Sequence, residues 1–221
     1  MTAQVAKAYK GAPLEGPLAS WYARNTAGDL AVFAALAARI AARLPRGGAV
    51  LEVAPGPGYL AVEMARRGLA VSALDISHAF VRIGRENARK AGVGADIRQG
   101  DAAAEPFADN SFDFLVCRAA FKNFGDPVGA LREFHRVLRP GGVALIIDMR
   151  RDAANASIRD EVAAMGLGPL SRWITRSILR GLRKRAYSRE AFTRMIAETP
   201  FGQGQIKAES IGFEIELTKR S

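Results

Sequence analysis

A doubly wound α/β fold with a mostly parallel sheet is predicted by two features of the sequence. The first is a strand, a glycine turn and a helix start between residues 50 and 61, in which Val50, Leu51 and Val53 form the apolar run of a central parallel strand. The second is the alternation of apolar strand segments with helical segments from about residue 50 to residue 150. Consecutive strand, helix and strand form a βαβ unit with a right-handed crossover.

The composition is that of a folded, basic protein of one domain. Of 221 residues, 49% are hydrophobic, and no run approaches the ~20 apolar residues that a membrane span needs. The net charge of +10 permits nucleic acid, acidic substrates or anionic membrane surfaces as partners and selects none of them. Cys117 is the single cysteine, and the N-terminal residues lack the apolar segment of a signal peptide. We therefore predict a cytoplasmic protein, a monomer or a homodimer.

The first 26 residues are predicted to form an arm, because glycine and proline interrupt them, with a short helix near Leu18–Arg24. A longer helix is predicted from about Ala27 to Arg43, with Thr26 and Asp29 as a capping box. The apolar face of that helix would contain Leu30, Phe33, Ala37, Ile40 and Leu44.

Strands and helices are expected to alternate along the rest of the chain. Asp126 and Pro127 form a helix start, and Ser188 caps another helix. Residues 150–187 are predicted to be a helical cap inserted after strand five. The further strands are predicted at Ala70–Leu74, Asp96–Gln99, Phe112–Cys117, Val143–Asp148, Gly204–Ala208 and Ile211–Leu217. The further helices are predicted at Tyr59–Arg67 and Ser77–Ala91.

The glycine turn after the first strand is the first indication of a ligand site. Gly56 and Gly58 lack a Cβ, so a ligand can approach the backbone, and the next helix directs its free N–H groups at that ligand. The segment Gly56–Ala61 fits the dinucleotide pattern G-x-G-x-x-G/A. However, Glu52 on the strand would repel a pyrophosphate and attract an ammonium group. The turn therefore favours a cationic amino-acid ligand without phosphates.

A second carboxylate, Asp75, is expected at the end of strand two. It lies 17 residues beyond Gly58, close to the spacing at which a carboxylate reaches ribose hydroxyls. The alternative is that Asp75 only caps the helix that follows it.

These landmarks resemble those of the class I S-adenosylmethionine (SAM)-dependent methyltransferases. Residues Glu52 to Gly58 are similar to the family motif E/D-x-G-x-G-x-G, with Ala54 in place of the first glycine. The pair Gly100-Asp101, the segment PFADNSFDFLVC and the turn LRPGG follow in the family's order. The segments Phe121–Asn123 and LREFHRVLRPGG resemble the ubiquinone/menaquinone C-methyltransferase branch.

The resemblance implies a Rossmann-like sheet of seven strands, the last antiparallel, and SAM as the cofactor. In such a site Asp75 holds the ribose hydroxyls, Ile76 packs on the adenine, and Asp101 and the Ala102 N–H bind its edge. Trp21 and Tyr22 resemble the aromatic lid of many methyltransferases, although packing of the arm on the core is an equal alternative. The predicted cofactor-binding residues are Tyr22, Glu52, Ala54, Gly56, Gly58, Asp75, Ile76, Asp101, Ala102, Cys117 and Arg118. The Cys117 side chain is expected to be buried rather than nucleophilic.

The implied activity is in-line transfer of a methyl group to a small molecule (class EC 2.1.1). Asp148 is the candidate general base, and Arg118, Asn123 and Arg150 are candidates for orienting the acceptor. Asp148 could equally pair with Arg118 or Arg150. The alternatives are an RNA methyltransferase and a SAM-binding protein without catalysis. The basic surroundings suit an acidic acceptor, and we predict no metal site.

A basic, amphipathic helix is predicted within the cap. Arg172, Arg176, Arg180 and Lys184 recur every four residues, and Ile174, Ile178 and Leu182 form the opposite stripe. Three interpretations are open: the apolar stripe packs over the substrate pocket, the helix lies on a membrane surface and admits a lipophilic substrate, or the basic stripe contacts nucleic acid.

Overall fold

In the computed structural model, which describes residues 8–10, 14–26, 28, 30–166 and 168–220, a seven-stranded sheet has the order β3-β2-β1-β4-β5-β7-β6. Strands β1 to β5 are parallel, and β7 runs antiparallel to both β5 and β6. The predicted Rossmann-like sheet with an antiparallel final strand is thus confirmed. The strands are β1 Ala49–Val53, β2 Ala70–Asp75, β3 Ala95–Gln99, β4 Phe112–Arg118, β5 Leu138–Met149, β6 Gln205–Ala208 and β7 Gly212–Thr218.

Helices cover both faces of the sheet. Val50 and Leu51 are adjacent in β1 and point to opposite faces, and both side chains are fully buried, in two different hydrophobic clusters. The helices are α1 Gly16–Thr26, α2 Leu30–Ala41, α3 Tyr59–Arg66, α4 His78–Lys90, α5 Pro127–Val137, α6 Asn155–Ala164, α7 Pro169–Arg185 and α8 Arg189–Ala197. A 3₁₀ turn spans Phe121–Asn123.

The predicted helix caps at Asp126 and Ser188 are present. The Asp126 carboxylate accepts a hydrogen bond from the Gly129 N–H at 2.8 Å, and the Ser188 hydroxyl accepts one from the Ala191 N–H at 3.3 Å. Ser77, predicted as the first residue of its helix, caps α4 instead. Each cap satisfies an N–H group that the helix itself leaves unpaired.

The start of α2 differs from the prediction. The Thr26 hydroxyl donates to carbonyl oxygens one turn back in α1, so Thr26 ends α1 and does not cap α2. Asp29, its predicted partner, lies outside the described residues, as does Ala27. Leu30 is exposed, because the buried face of α2 is formed by Leu36, Ala37 and Ile40.

The segment LRPGG is the irregular beginning of β5 and not a turn before it. Leu138 already pairs with Phe112, and the register shifts before β5 continues at Val143. Gly141 has φ of 81°, and its N–H donates to the Lys219 carbonyl at 2.8 Å. The left-handed glycine therefore bends a strand that is still held by its neighbours.

The cap after β5 consists of α6 and α7. The first interpretation of α7, in which its apolar stripe packs over the pocket, does not hold for Ile174 and Ile178, because both are exposed. Of that stripe, only Leu182 lines the cavity described below. None of the helices in the described ranges has the length and apolar character required to cross a membrane.

Candidate functional site

A cavity of about 340 Å³ lies at the carboxyl ends of β1, β2 and β4. This is the edge where open α/β sheets bind their ligands, and the volume falls within the range of small-molecule sites. The arm, the glycine turn, the loop after β4 and the end of α7 all contribute to its lining. The predicted site residues in the lining are Tyr22, Glu52, Ala54, Gly56, Asp75, Ile76, Asp101, Ala102, Arg118 and Asn123.

The glycine turn has three residues in the left-handed region. Ala54, Gly56 and Gly58 have φ of 57°, 55° and 75°. A Cβ on Gly56 would meet nothing within 4 Å, so this glycine leaves open space beside the cavity that it lines. Ala54 adopts a conformation that suits glycine, at a cost of about 1 kcal/mol or more.

Gly58 serves helix packing and is absent from the cavity lining. A Cβ on Gly58 would lie 3.1 Å from the Cα of Gly84 in α4. Its lack of a side chain lets the beginning of α3 approach α4 closely, while Gly56 alone of the two faces the cavity. Gly58 therefore serves a contact between helices, and its contact with the cofactor stays a prediction.

Glu52 is a buried carboxyl group, and one of its two oxygens is not hydrogen-bonded to the described residues. Its Oε2 atom has no hydrogen-bond partner among the described residues, although Glu52 lines the cavity. Burial raises its pKa to about 8, an effect that the Ala61 N–H and the more distant Arg118 oppose and Asp75 reinforces. A cation that enters the cavity would satisfy this oxygen and stabilise the carboxylate.

Asp75 is held rigidly at the end of β2. Its two carboxylate oxygens accept hydrogen bonds from the N–H groups of Gly56 and Ser77, each at 2.9 Å. Burial raises its pKa to about 6, against the effect of these N–H donors. Asp75 therefore ties the glycine turn to the start of α4, and it still lines the cavity, where its remaining lone pairs can accept from hydroxyl groups.

The predicted adenine-binding residues lie together beside β2 and β3. Ile76, Asp101 and Ala102 all line the cavity, and Asp101 Oδ1 accepts from the Ala103 N–H at 3.0 Å. Tyr22 lines the same cavity and packs edge-on against Phe80, with ring centroids 5.7 Å apart. Trp21, the other predicted lid residue, is exposed and lies outside the lining.

Cys117 is not a lining residue. Its side chain is fully buried in the hydrophobic core, where burial raises the pKa of the thiol well above its usual value. It lies near the end of β4, and its side chain contributes to the core cluster rather than to the cavity. The expectation that the Cys117 side chain is buried is confirmed, and its contact with the cofactor stays a prediction.

Asp148 forms a buried ion pair with a residue that the sequence analysis did not select, Lys122. Asp148 Oδ1 lies 2.8 Å from Lys122 Nζ and accepts from the Met149 N–H at 2.7 Å, and Oδ2 accepts from the Lys122 N–H at 2.8 Å. Asp148 is not in the cavity lining. Asp148 therefore pairs with Lys122 instead of Arg118 or Arg150, and its role as general base stays a prediction.

Of the residues predicted to orient the acceptor, two line the cavity and one does not. Arg118 lines the cavity, with its guanidinium 4.9 Å from the ring centroid of Phe33. Asn123 also lines it, and its buried Oδ1 atom has no partner among the described residues. Arg150 lies outside the lining and forms an ion pair with Asp152 at 3.3 Å.

The cavity lining also includes Tyr9, Lys122 and Arg185, which the sequence analysis did not select. The arm brings Tyr9 there, because its neighbours Ala8 and Lys10 exchange backbone hydrogen bonds with the loop after β4. Burial raises the pKa of Tyr9, so its hydroxyl keeps its proton. Lys122 Nζ also donates to the Ala119 carbonyl. The motif Phe121–Asn123 was a local signal for Lys122, whereas no local pattern marks Tyr9 or Arg185.

The arrangement fits SAM at the end formed by β1 and β2. The unpaired oxygen of Glu52 suits an ammonium group, the open backbone at Gly56 admits a closely approaching ligand, and Asp75 suits ribose hydroxyls. Asp101 and Ala102 offer an acceptor and a donor to a base edge. The same set does not suit a dinucleotide, because Glu52 would face its pyrophosphate.

Comparisons with known proteins agree with this geometry. Residues 51–146 match a family model described as a methyltransferase domain. The chain is 38% identical over 111 residues to the ubiquinone/menaquinone biosynthesis C-methyltransferase of Idiomarina loihiensis, a match that covers 48% of this chain and 44% of that protein. The chain thus spans less than half the length of that curated relative.

Solved structures share the fold. A structure from Methanococcus maripaludis, described as a SAM-dependent methyltransferase, has a TM-score of 0.75 at 23% identity and 96% coverage of each chain. A SAM-dependent methyltransferase from Aquifex aeolicus has a TM-score of 0.62 at 18% identity, covering 83% of this chain and 89% of its own. The protein therefore has the fold of these two structures, and residues 51–146 match a methyltransferase domain.

Proposed function

We propose that this protein transfers the methyl group of SAM to an acidic small molecule by in-line displacement. The observation that carries the proposal is the buried, unpaired Oε2 of Glu52 in a cavity whose lining also contains Arg118, Lys122 and Arg185. The match to C-methyltransferases of quinone biosynthesis favours a small-molecule acceptor over RNA.

Cofactor binding is assigned to the β1 and β2 end of the cavity. The sulfonium of SAM supplies an electrophilic methyl group. Glu52 would hold the ammonium group, and Asp75 would orient the ribose. Since Asp75 is fixed by two backbone N–H groups, it can orient a ligand with little loss of its own entropy. Catalysis then depends mainly on alignment, which supplies up to about 7–11 kcal/mol.

The rest of the cavity lining offers cations, and its described residues include no free carboxylate. Three carboxylates line the cavity and belong to the proposed cofactor end: Glu52, Asp75 and Asp101. Asp148 lies outside the lining and is paired with Lys122. Arg118 and Arg185 would instead favour an acceptor that enters as an anion, such as a phenolate, a carboxylate or an enolate. The acceptor would then need no proton transfer to Asp148 before it attacks.

Three further assignments belong to this proposal. A cytoplasmic location rests on the single, buried Cys117. The protein is further proposed to be a monomer or a homodimer. The organisation as one domain, with an arm over residues 1–26 and a cap over residues 150–187, agrees with the elements that line the cavity.

Calorimetry and methyl transfer test the proposal in two steps. The protein is expected to bind SAM and S-adenosylhomocysteine and not NAD. Labelled SAM is then incubated with the protein and a cell extract that is divided into small-molecule and RNA fractions. Label in the acidic small-molecule fraction supports the proposal, whereas label confined to RNA, or binding without any transfer, would overturn it.

A further inference from the structure

The cap helix α7 presents apolar side chains to solvent. Leu170, Ile174 and Ile178 recur every four residues and are 72%, 43% and 51% exposed, and Trp173 beside them is 60% exposed. Met165, which precedes the helix, is 47% exposed. Half of the ten large hydrophobic residues recorded as exposed in the described part of the chain fall in this short segment. Such a concentration marks an interaction surface.

The same helix is strongly cationic. It contains six basic residues and no acidic ones, and none of the six lies within ion-pair distance of a carboxylate in the described ranges. Arg183 is engaged otherwise, since it donates to the Ala153 carbonyl at 2.7 Å. Arg180 and Lys184 are exposed, and Arg180 lies two helical turns after Trp173 on the same side of the helix. Apolar and unpaired cationic side chains therefore share one exposed surface.

We propose that the apolar and cationic surface of α7 docks on an anionic lipid bilayer. The apolar side chains would enter the boundary between headgroups and acyl chains, and the cations would pair with lipid phosphates. Charge complementarity selects this occupant. A second copy that paired through the same surface would bring cationic helices together with no acidic partner, and a polyanion such as RNA would leave the isoleucines without an apolar contact.

The docking surface is continuous with the cavity. Leu182 and Arg185, in the last turn of α7, line the cavity, and α1 lines it through Tyr22 while exposing Leu18 and Trp21. A helix that lies on the bilayer would therefore place the cavity beside the headgroup region. This inference concerns association only, so it stands or fails separately from methyl transfer.

Vesicle co-sedimentation tests the docking surface. The whole protein is expected to bind vesicles that contain phosphatidylglycerol at least about tenfold more tightly than pure phosphatidylcholine vesicles, and to be released by high salt. The pairs Ile174→Ser/Ile178→Ser and Arg180→Gln/Lys184→Gln should each lower binding about tenfold. The first pair removes apolar contact and the second removes charge, so either alone keeps the test decisive.

Matched controls lie on other helices. Val32→Ser removes an exposed aliphatic side chain from α2, and Arg82→Gln/Arg89→Gln removes two exposed charges from α4. These variants should bind vesicles as the parent does, and all variants should retain the parent's thermal melting. Equal binding to both vesicle types, equal losses in the controls, RNA binding that the α7 variants abolish, or a dimer that Ile174→Ser/Ile178→Ser dissociates would each overturn the proposal.

Discussion

The substitution Glu52→Gln is expected to weaken binding of SAM and S-adenosylhomocysteine by about 100-fold, because it removes a buried charge that faces the ligand ammonium. Calorimetry measures the loss. Glu86→Gln on α4 serves as the control and should bind both ligands as the parent does, since Glu86 pairs with Lys90 and lies outside the cavity lining. Undiminished binding by the Glu52→Gln protein would refute the assigned role of Glu52.

The same substitution should change how stability depends on pH. The pKa of Glu52 is about 8 in the folded protein against 4.5 for an ordinary glutamate, so between these values the folded state keeps a proton that the unfolded state has released. Glu52 therefore destabilises the folded protein progressively as pH rises from about 4.5 to 8. Each pKa unit corresponds to about 1.4 kcal/mol, so the stability of Glu52→Gln relative to the parent should improve by on the order of 5 kcal/mol across that window.

Urea unfolding without cofactor measures this second effect. The difference in unfolding free energy between variant and parent is compared near pH 4.5 and above pH 8, so constant effects of the amide cancel. A difference that does not change with pH would show that the carboxyl group titrates normally and that the cavity does not desolvate it.

Breaking the buried pair between Lys122 and Asp148 should be the most damaging change to stability. Lys122→Met leaves the Asp148 carboxylate buried without its counter-charge, and Asp148→Asn leaves the Lys122 ammonium likewise, so each should cost about 3–5 kcal/mol. The double variant should cost clearly less than the sum of the two, because the pair is removed as a unit. Urea unfolding of the four proteins completes the double-mutant cycle.

An exposed pair provides the control for this cycle. Lys207 and Glu209 lie 2.8 Å apart with side chains 75% and 52% exposed, and Lys207→Met should leave stability unchanged. Turnover distinguishes a positioning role of Asp148 from a role as general base. If Asp148 is a positioning residue, the Asp148→Asn and Lys122→Met proteins should both lose activity. A Lys122→Met protein that turns over normally beside an inactive, folded Asp148→Asn protein would restore Asp148 as the base.

Local sequence patterns sufficed to predict the elements that are proposed to bind the cofactor. The strand containing Glu52, the turn at Gly56 and the end of β2 at Asp75 are contiguous segments in which apolar runs, glycines and caps all predict the same structure. No local sequence pattern predicts which distant residues will pair in the folded protein. Lys122 and Asp148 are 26 residues apart and meet only because β4 and β5 are neighbours in the sheet.

Amphipathic spacing predicted the existence of α7 and not its surroundings. The recurrence of Ile174, Ile178 and Leu182 defines one stripe, but only Leu182 reaches the cavity. A hydrophobic stripe indicates that something apolar should cover it, and the sequence does not say whether that is the core or a partner. Likewise Gly58 and Gly56 look equivalent in the motif, and only the approach of Gly84 distinguishes their roles.

The pH dependence of SAM binding tests the central claim, which is that a desolvated Glu52 receives a cationic amino-acid group. Calorimetry from about pH 6.5 to 9 should show affinity that rises about tenfold per pH unit up to about 8, because the ligand binds the ionised carboxylate, and that falls again once the ligand ammonium loses its proton. The Glu52→Gln protein should show a weak affinity without this rise. An affinity in the parent that does not change across the range would contradict the account.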